Sequence, residues 1–420
     1  MTDINIWTGP GGLANPLLED FWRRPAPEID ADLKVLRDQP PTVHPERERE
    51  DNAMLPPATE AWVVTRHADI LQMSKNPQTF SSANGITVLD SPPEFNAFFS
   101  SMIAMDDPRH ARLRKLVSAG FTPGMMKRLE DGVQELATQI VDDLIEKGEF
   151  DFVVDGAAAL PLRVVCDLMG IPESHYEFVF DQTNVILGAG DSEYVGDSSD
   201  IVTALLTAGG NLAELMNDVA TSLRGGDGTD LTSKLINAEL QDDRLEPADL
   251  ASFFILLVVA GNETTRNSIS WGLQYLTQNP DQRQIWLDDL DGVTNTAVEE
   301  IVRLASPVAY MRRTITEDTE LGGVGMKAGE KACMFYLAAN RDEELFPDPL
   351  KFDVRRDPNP HIGFGGPGPH FCLGAHLARR QIAVMYRELL TRTPNIHATG
   401  EPDLLASSFI HGIKHLPASI

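Results

Sequence analysis

Phe364-Gly365-Gly366-Pro367-Gly368-Pro369-His370-Phe371-Cys372-Leu373-Gly374 is the stretch on which the fold turns. Glycine and proline strip it of bulk and open backbone conformations closed to other residues. The segment that follows, Ala375 to about Leu390, reads as a helix. The loop therefore delivers one cysteine to a helix N-terminus, where free N–H groups and the helix dipole stabilise a thiolate. A metal ligand needs that setting; an inert cysteine beside a tight turn fits the loop equally well. Gly363, Gly365 and Gly368 also satisfy G-x-G-x-x-G, with Glu388 20 residues after Gly368. A dinucleotide site requires a strand before that pattern, and Asp357-Pro358-Asn359-Pro360-His361 cannot supply a central one.

Working outward, Pro247 to Gln278 is the longest helical candidate, about 48 Å at about 1.5 Å per residue. Its middle, FFILLVVAG, is apolar all round, which places the helix in the interior. Ala260-Gly261-Asn262-Glu263-Thr264-Thr265 then sets a carboxylate and hydroxyls directly behind the apolar run. Such groups are costly inside unless paired. Threonine hydroxyls bonded to the preceding turn are one account; a groove that receives a small ligand and relays protons is the other. Glu300 and Arg303, at i and i+3, can pair across one helix face. His110 and Arg114 share a face at i and i+4, and Arg313 and His370 are further donors for carboxylates. In isolation each of these is ordinary surface chemistry.

The composition bounds the rest. The chain has 420 residues and a formal charge of 35 − 63 = −28, with 42% hydrophobic and 23% charged residues. A chain of this length buries a large core without disulfides, as one large domain or two to three smaller ones. The acidic balance disfavours nucleic acid and anionic membrane as partners. Cys166, Cys333 and Cys372 lie far apart, which excludes a disulfide scaffold and a zinc ribbon and suits a reducing compartment. A single thiolate without a second Cys or His at ligand spacing argues against zinc or iron–sulfur. MTDINIWTGP has neither a basic n-region nor an apolar h-region, and the run Phe253 to Ala260 falls short of the ~20 residues that span a bilayer. The expectation is a cytoplasmic protein with no transmembrane segment.

Residues 1–60, rich in proline and charge, read as a loosely structured lead-in packed on a main domain of residues 61–420. Ala61 to Thr65 is a short strand, Thr319 to Phe335 a small β region, and 187–200 a flexible connection. Helical periodicity dominates from Leu113 to Leu144. The fold class is mainly α with a small β region.

Together the four motifs resemble those of the cytochromes P450, over about residues 105 to 375. The resemblance implies that fold as a single large domain around haem b, with Cys372 as axial ligand of the iron. It implies oxygen activation at Gly261 and Thr264, with Glu263 bringing protons from solvent. Phe364 opens the ligand loop, eight residues before the cysteine where most bacterial members have seven. Glu300, Arg303 and Arg356 match a structural network behind the haem, and His110, Arg114, Arg313 and His370 match propionate-binding positions. AGNETTRN, DDPRHARLR, DPNPHIGFGG and SSFIHGIKHLP are similar to an actinobacterial subgroup that hydroxylates methyl-branched lipids and sterol side chains, often at the terminal carbon.

A monooxygenase is implied, using O2 and electrons from a separate ferredoxin and ferredoxin reductase. Arg112, Lys115, Arg379 and Arg380 are candidates for a basic docking face. An apolar pocket suits such substrates, and its candidate walls are Phe99, Ile103, Ile186, Leu256, Val259, Ala260, Val308 and Phe409. The competing readings are epoxidation or a peroxygenase reaction, and a non-catalytic haem or lipid sensor.

Overall fold

The long apolar helix forms over Pro247–Gln278, as its pattern requires. The computed structural model describes residues 13–46, 59–90, 101–121, 123–188, 191–195, 201–237 and 247–420. Helices Ala159–Met169, Ile201–Leu223, Leu290–Ala305 and Ala375–Arg392 pack around this central helix. By length and composition alone the stretch Ala248–Gln278 could cross a bilayer, but it runs through the middle of the domain. Several of its hydroxyls bond to the preceding turn: Thr264 Oγ1 donates to Ala260 O at 2.7 Å, and Ser268, Ser270 and Thr277 repeat the pattern.

The periodicity from Leu113 to Leu144 resolves into two helices, Arg109–Gly120 and Pro123–Lys147. Val133, Ala137, Ile140, Val141 and Leu144 point into one apolar cluster that also holds residues of the Leu290–Ala305 and Ala375–Arg392 helices. A second cluster lies between Ala159–Met169, Ile201–Leu223 and the first half of the central helix. The central helix thus divides the core.

Strands are few and short. A five-stranded sheet has the order β1 (Thr42–Pro45), β2 (Glu60–Val64), β8 (Lys331–Phe335), β5 (Tyr310–Ile315), β3 (Phe80–Ser81). β2 runs parallel to β8, with Ala61 opposite Lys331, and β5 runs antiparallel to β8, with Arg313 opposite Ala332. β6 (Thr319–Leu321) and β7 (Val324–Met326) form a hairpin, and β10 (Asp403–Leu404) pairs with β11 (Ile413–His415). β4 (Glu149–Asp151), β12 (Pro417–Ser419) and β9 (His397–Ala398) make a three-stranded sheet.

Two sequence expectations are revised. Within residues 1–60, the described part is integral to the domain rather than loose. The helix Ala26–Arg37 buries Ile29, Leu33 and Leu36, and β1 extends the main sheet. Proline marks its start instead of breaking it, since Ala26 follows an N-cap Pro25 and Pro27 sits in the first turn. Within 187–200, the described residues Ser192–Val195 form a helical turn, and Asp191 and Glu193 are tied to Lys414 at 3.2 and 3.0 Å.

Candidate active site

Cys372 sits two residues before the N-cap of Ala375–Arg392, and Gly374 and Ala375 direct backbone N–H groups at its sulfur. Burial pushes the thiol up from its ordinary range, while those N–H groups, Arg114 and Arg379 pull the other way. A bound cation would settle that contest in favour of the thiolate. Cys166 and Cys333, by contrast, are buried without such donors and are pushed up to about 12. They are inert core residues.

The loop's glycines are demanded by space. Gly365 adopts φ +84°, and a Cβ on Gly368 would collide with the Ser74 carbonyl oxygen. The loop enters through a buried network. Glu300 accepts from Arg303 Nε and Nη2 at 2.7 and 2.8 Å and from Arg356 Nε at 3.0 Å. The Asp353 N–H and Asn359 Nδ2 complete its shell at 3.0 and 3.1 Å. Arg303 Nη1 donates to Asn340 O, and Asn340 Oδ1 receives the Ile362 N–H at 2.8 Å, two residues before Phe364. The i, i+3 pair that meant nothing alone is therefore the anchor of the cysteine loop. Phe364 carries Arg379 over its ring at 4.2 Å. Arg379 and His361 both grip Glu299, at 2.5 and 2.7 Å. Burial would raise the Glu299 carboxyl, but hydrogen bonds from His361 and Arg379 hold it down to about 2.

On the other side of the loop four cationic or imidazole groups converge. The rings of His110 and His370 lie 4.3 Å apart, and Arg114 Nη2 donates to Phe371 O at 2.6 Å. His370 is pushed down to about 3 by burial and by the charges of Arg313, His110 and Arg114. Arg313 is buried and donates to a backbone carbonyl, that of Arg312, while Asp106 acts on it only from beyond ion-pair distance. No carboxylate pairs with Arg313 or Arg114 among the described residues. A buried guanidinium without an acid is costly, and a ligand bearing carboxylates beside the thiol relieves that cost. The residues present fit a haem: one thiolate for its iron, four donors for its propionates.

The central helix supplies the opposite wall. Between Leu250 and Gln274 every residue is buried except Leu256, Leu257, Val259, Ala260, Gly261 and Thr264, which line one stripe of the helix. Leu256, Leu257 and Val259 edge the same apolar cluster as Leu373, the neighbour of the thiol, and as Ile186. Glu263, i+4 from Val259 and i+3 from Ala260, shares their face but is buried, with Oε2 at 2.5 Å from Arg266 Nη2.

Known proteins match this arrangement. A family model described as "Cytochrome P450" matches residues 207–393. The methyl-branched lipid omega-hydroxylase of Mycobacterium tuberculosis is 48% identical over 361 residues, 85% of this chain and 83% of that protein. The chain belongs to the cytochrome P450 family. A steroid C26-monooxygenase of Mycolicibacterium smegmatis is 36% identical, across 84% of this chain and 82% of that protein. A Mycobacterium marinum cytochrome P450 solved in complex with pseudoionone superposes with a TM-score of 0.90 at 42% identity, covering 96% of this chain and 97% of that one.

As a cytochrome P450 the chain is a monooxygenase with haem b as cofactor. Of the pocket residues named from sequence, Ile186, Leu256, Val259 and Ala260 share one region. Ile103 is half-buried in the turn Met102–Ala104. Val308 bridges to Ile410, beside which Phe409 packs edge-on to Tyr310 at 5.5 Å. Phe99 lies outside the described residues. Arg379, named for a docking face, is instead committed to Glu299 and Phe364. Sequence reading missed Arg266, Ser82 and Asn359. Arg266 stands at i+3 from Glu263, the spacing that singled out Glu300 and Arg303, and could have been found by it.

Proposed function

We propose that this cytochrome P450 hydroxylates a methyl-branched lipid, a fatty acid or a sterol side chain at its terminal carbon, in the cytoplasm. Electrons come from a ferredoxin and its reductase. The observation that carries the reading is the stripe Leu256-Val259-Ala260-Thr264, an apolar wall with one hydroxyl beside the cysteine loop. The relatives named for methyl-branched lipids and steroids support the substrate class.

Haem held by Cys372 supplies the oxygen chemistry, in which one atom of O2 enters a C–H bond and the other leaves as water. Arg114, Arg313, His110 and His370 hold its two carboxylates. Leu256, Val259, Ala260, Ile186, Ile103, Val308 and Phe409 exclude water and present the methyl end of the chain. The Thr264 hydroxyl, now donating to Ala260 O at 2.7 Å, turns to hold a proton at its Oγ1 where oxygen is reduced. Glu263 restores that proton from solvent. Lys115 and Arg380, both exposed on the cysteine side, receive the acidic ferredoxin together with Arg112.

The test is a titration of the haem-loaded enzyme with 15-methylhexadecanoic acid and with a sterol bearing the same branched end. A substrate-induced spin shift followed by a terminally hydroxylated product supports the reading. A spin shift with only an epoxide, or turnover with peroxide alone, points to a different P450 reaction. A shift without turnover in the presence of reductant points to a sensor.

A further inference from the structure

The buried ion pair on the central helix does more than neutralise a carboxylate. Arg266 uses Nη2 for Glu263 Oε2 at 2.5 Å and Nη1 for Asn184 Oδ1 at 3.1 Å. Asn184 belongs to another element, the helix Tyr176–Leu187, and Arg266 also lies 6.0 Å from the Phe180 ring centroid on that helix. All three polar side chains are at least nine-tenths buried: Arg266 2%, Glu263 1% and Asn184 8% exposed. Glu263 Oε1 is buried and makes no close hydrogen bond, with the Asn267 side chain its polar neighbour. That atom is held in a direction set by the other oxygen's clamp and by Asn267. Two residues beyond Asn184, Ile186 edges the apolar cluster beside Leu256 and Val259. The accessible stripe of the central helix and the helix that Arg266 holds therefore border the same apolar cluster.

We propose that Arg266 is a positioning residue that ties the Glu263 carboxylate to the Tyr176–Leu187 helix through Asn184. The seating of that helix on substrate thereby sets the aim of the free Glu263 oxygen. The proposal rests on the role given above to Glu263 and adds the means by which an occupied pocket reaches it. Burial raises the Glu263 carboxyl above its usual range, and the Arg266 guanidinium and the Asn267 side chain oppose it. Two contributions of Arg266 are thus separable. Its charge sets how readily Glu263 ionises, and its fork sets where Glu263 points, since a planar guanidinium spans two acceptors that an ammonium cannot.

The experiment reads the Glu263 carboxyl by its infrared band in the haem-loaded enzyme, assigned by the loss of that band in Glu263→Gln. Without substrate, Asn184→Ala is expected to broaden the band and Arg266→Lys to broaden it without moving its titration. Arg266→Gln moves the titration to higher pH, because removal of a positive charge favours the neutral acid. Gln182→Ala, on the same helix but bonded to Asn211, leaves the band as it is. With 15-methylhexadecanoic acid bound, the native band shifts and that of Asn184→Ala does not. Product per electron in Asn184→Ala falls about tenfold, the loss of one charge-assisted hydrogen bond, while the spin shift persists. An unbroadened substrate-free band in Asn184→Ala overturns the proposal. Absence of a spin shift with every lipid overturns the substrate reading instead and leaves the substrate-free comparison standing.

Discussion

Replacing Glu300 by glutamine should cost about 3–5 kcal/mol of stability, the range for breaking a buried ion pair from one side. Glu300 and Arg303 are both fully buried, 2.7 Å apart, and Arg356 joins them at 3.0 Å. Glutamine keeps the shape but removes the charge that two guanidiniums face. It also turns one acceptor into a donor aimed at donors. Backbone carbonyls of Asn340, Pro349, Lys351 and Pro347 remain to Arg303 and Arg356, and they hold the expected loss within that range. At about 1.4 kcal/mol per tenfold, the unfolded fraction rises by roughly two to three and a half orders of magnitude. The assay is urea unfolding of the haem-loaded protein, followed by tryptophan fluorescence and by the thiolate–CO absorbance. The absorbance is expected to fail first, because Arg303 and Asn340 fix the entry of the cysteine loop. Lys327→Met is the control. The Lys327–Asp318 pair is also 2.7 Å long, but its side chains are 70% and 62% exposed, and solvent leaves it little to contribute. A native-like midpoint for Glu300→Gln would refute the reasoning.

Other outcomes follow from the site and its surroundings. Cys372→Ser should abolish the thiolate–CO band while the far-UV spectrum keeps its helical form. Thr264→Ala should leave the substrate-induced spin shift in place and divert electrons to hydrogen peroxide, read as product per NADH; unchanged coupling would remove Thr264 from the proton path. Lys115→Glu with Arg380→Glu should slow reduction by ferredoxin and flatten its dependence on salt, measured by stopped flow between low and high ionic strength. His44 and His411 are each pushed down by burial to about 4. The unfolded chain then takes up those protons more readily, so stability is lost as pH falls from about 6.5 to about 4 and is level above that window. Denaturant midpoints of His411→Gln should show a shallower slope there than the native protein.

The parts legible in the sequence were those where one element carries its whole signal. The Pro247–Gln278 helix was read to its ends because its apolar run leaves no alternative, and Ala375–Arg392 because a glycine loop precedes it. Ala61 to Thr65 became β2 because β-branched residues and tryptophan cluster there. What escaped depends on distant partners. β5 carries Arg313 to the His370 cluster, yet Tyr310–Ile315 has no alternation of its own and is a strand through its pairing with β8. The six-residue π-helical turn Phe152–Ala157 is likewise set by its surroundings, with the Phe152 N–H bonded to Leu416 O. Proline and charge make residues 1–60 read as a loose lead-in, yet within the described part proline begins the helix Ala26–Arg37. Arg379 reads as a candidate for the docking face because nothing in its neighbourhood along the chain announces Glu299, 80 positions away.

The cradle beside the thiol is assembled from scattered lengths of chain. Ser82, which bonds to His370 at 3.2 Å, and His110 and Arg114 come from the first third, Arg313 from β5, and His370 and Cys372 from the last eighth. During synthesis the early donors emerge from the ribosome with nothing to bind around. Capture of the haem therefore waits on His370 and Cys372, which are made after every other member of the cradle.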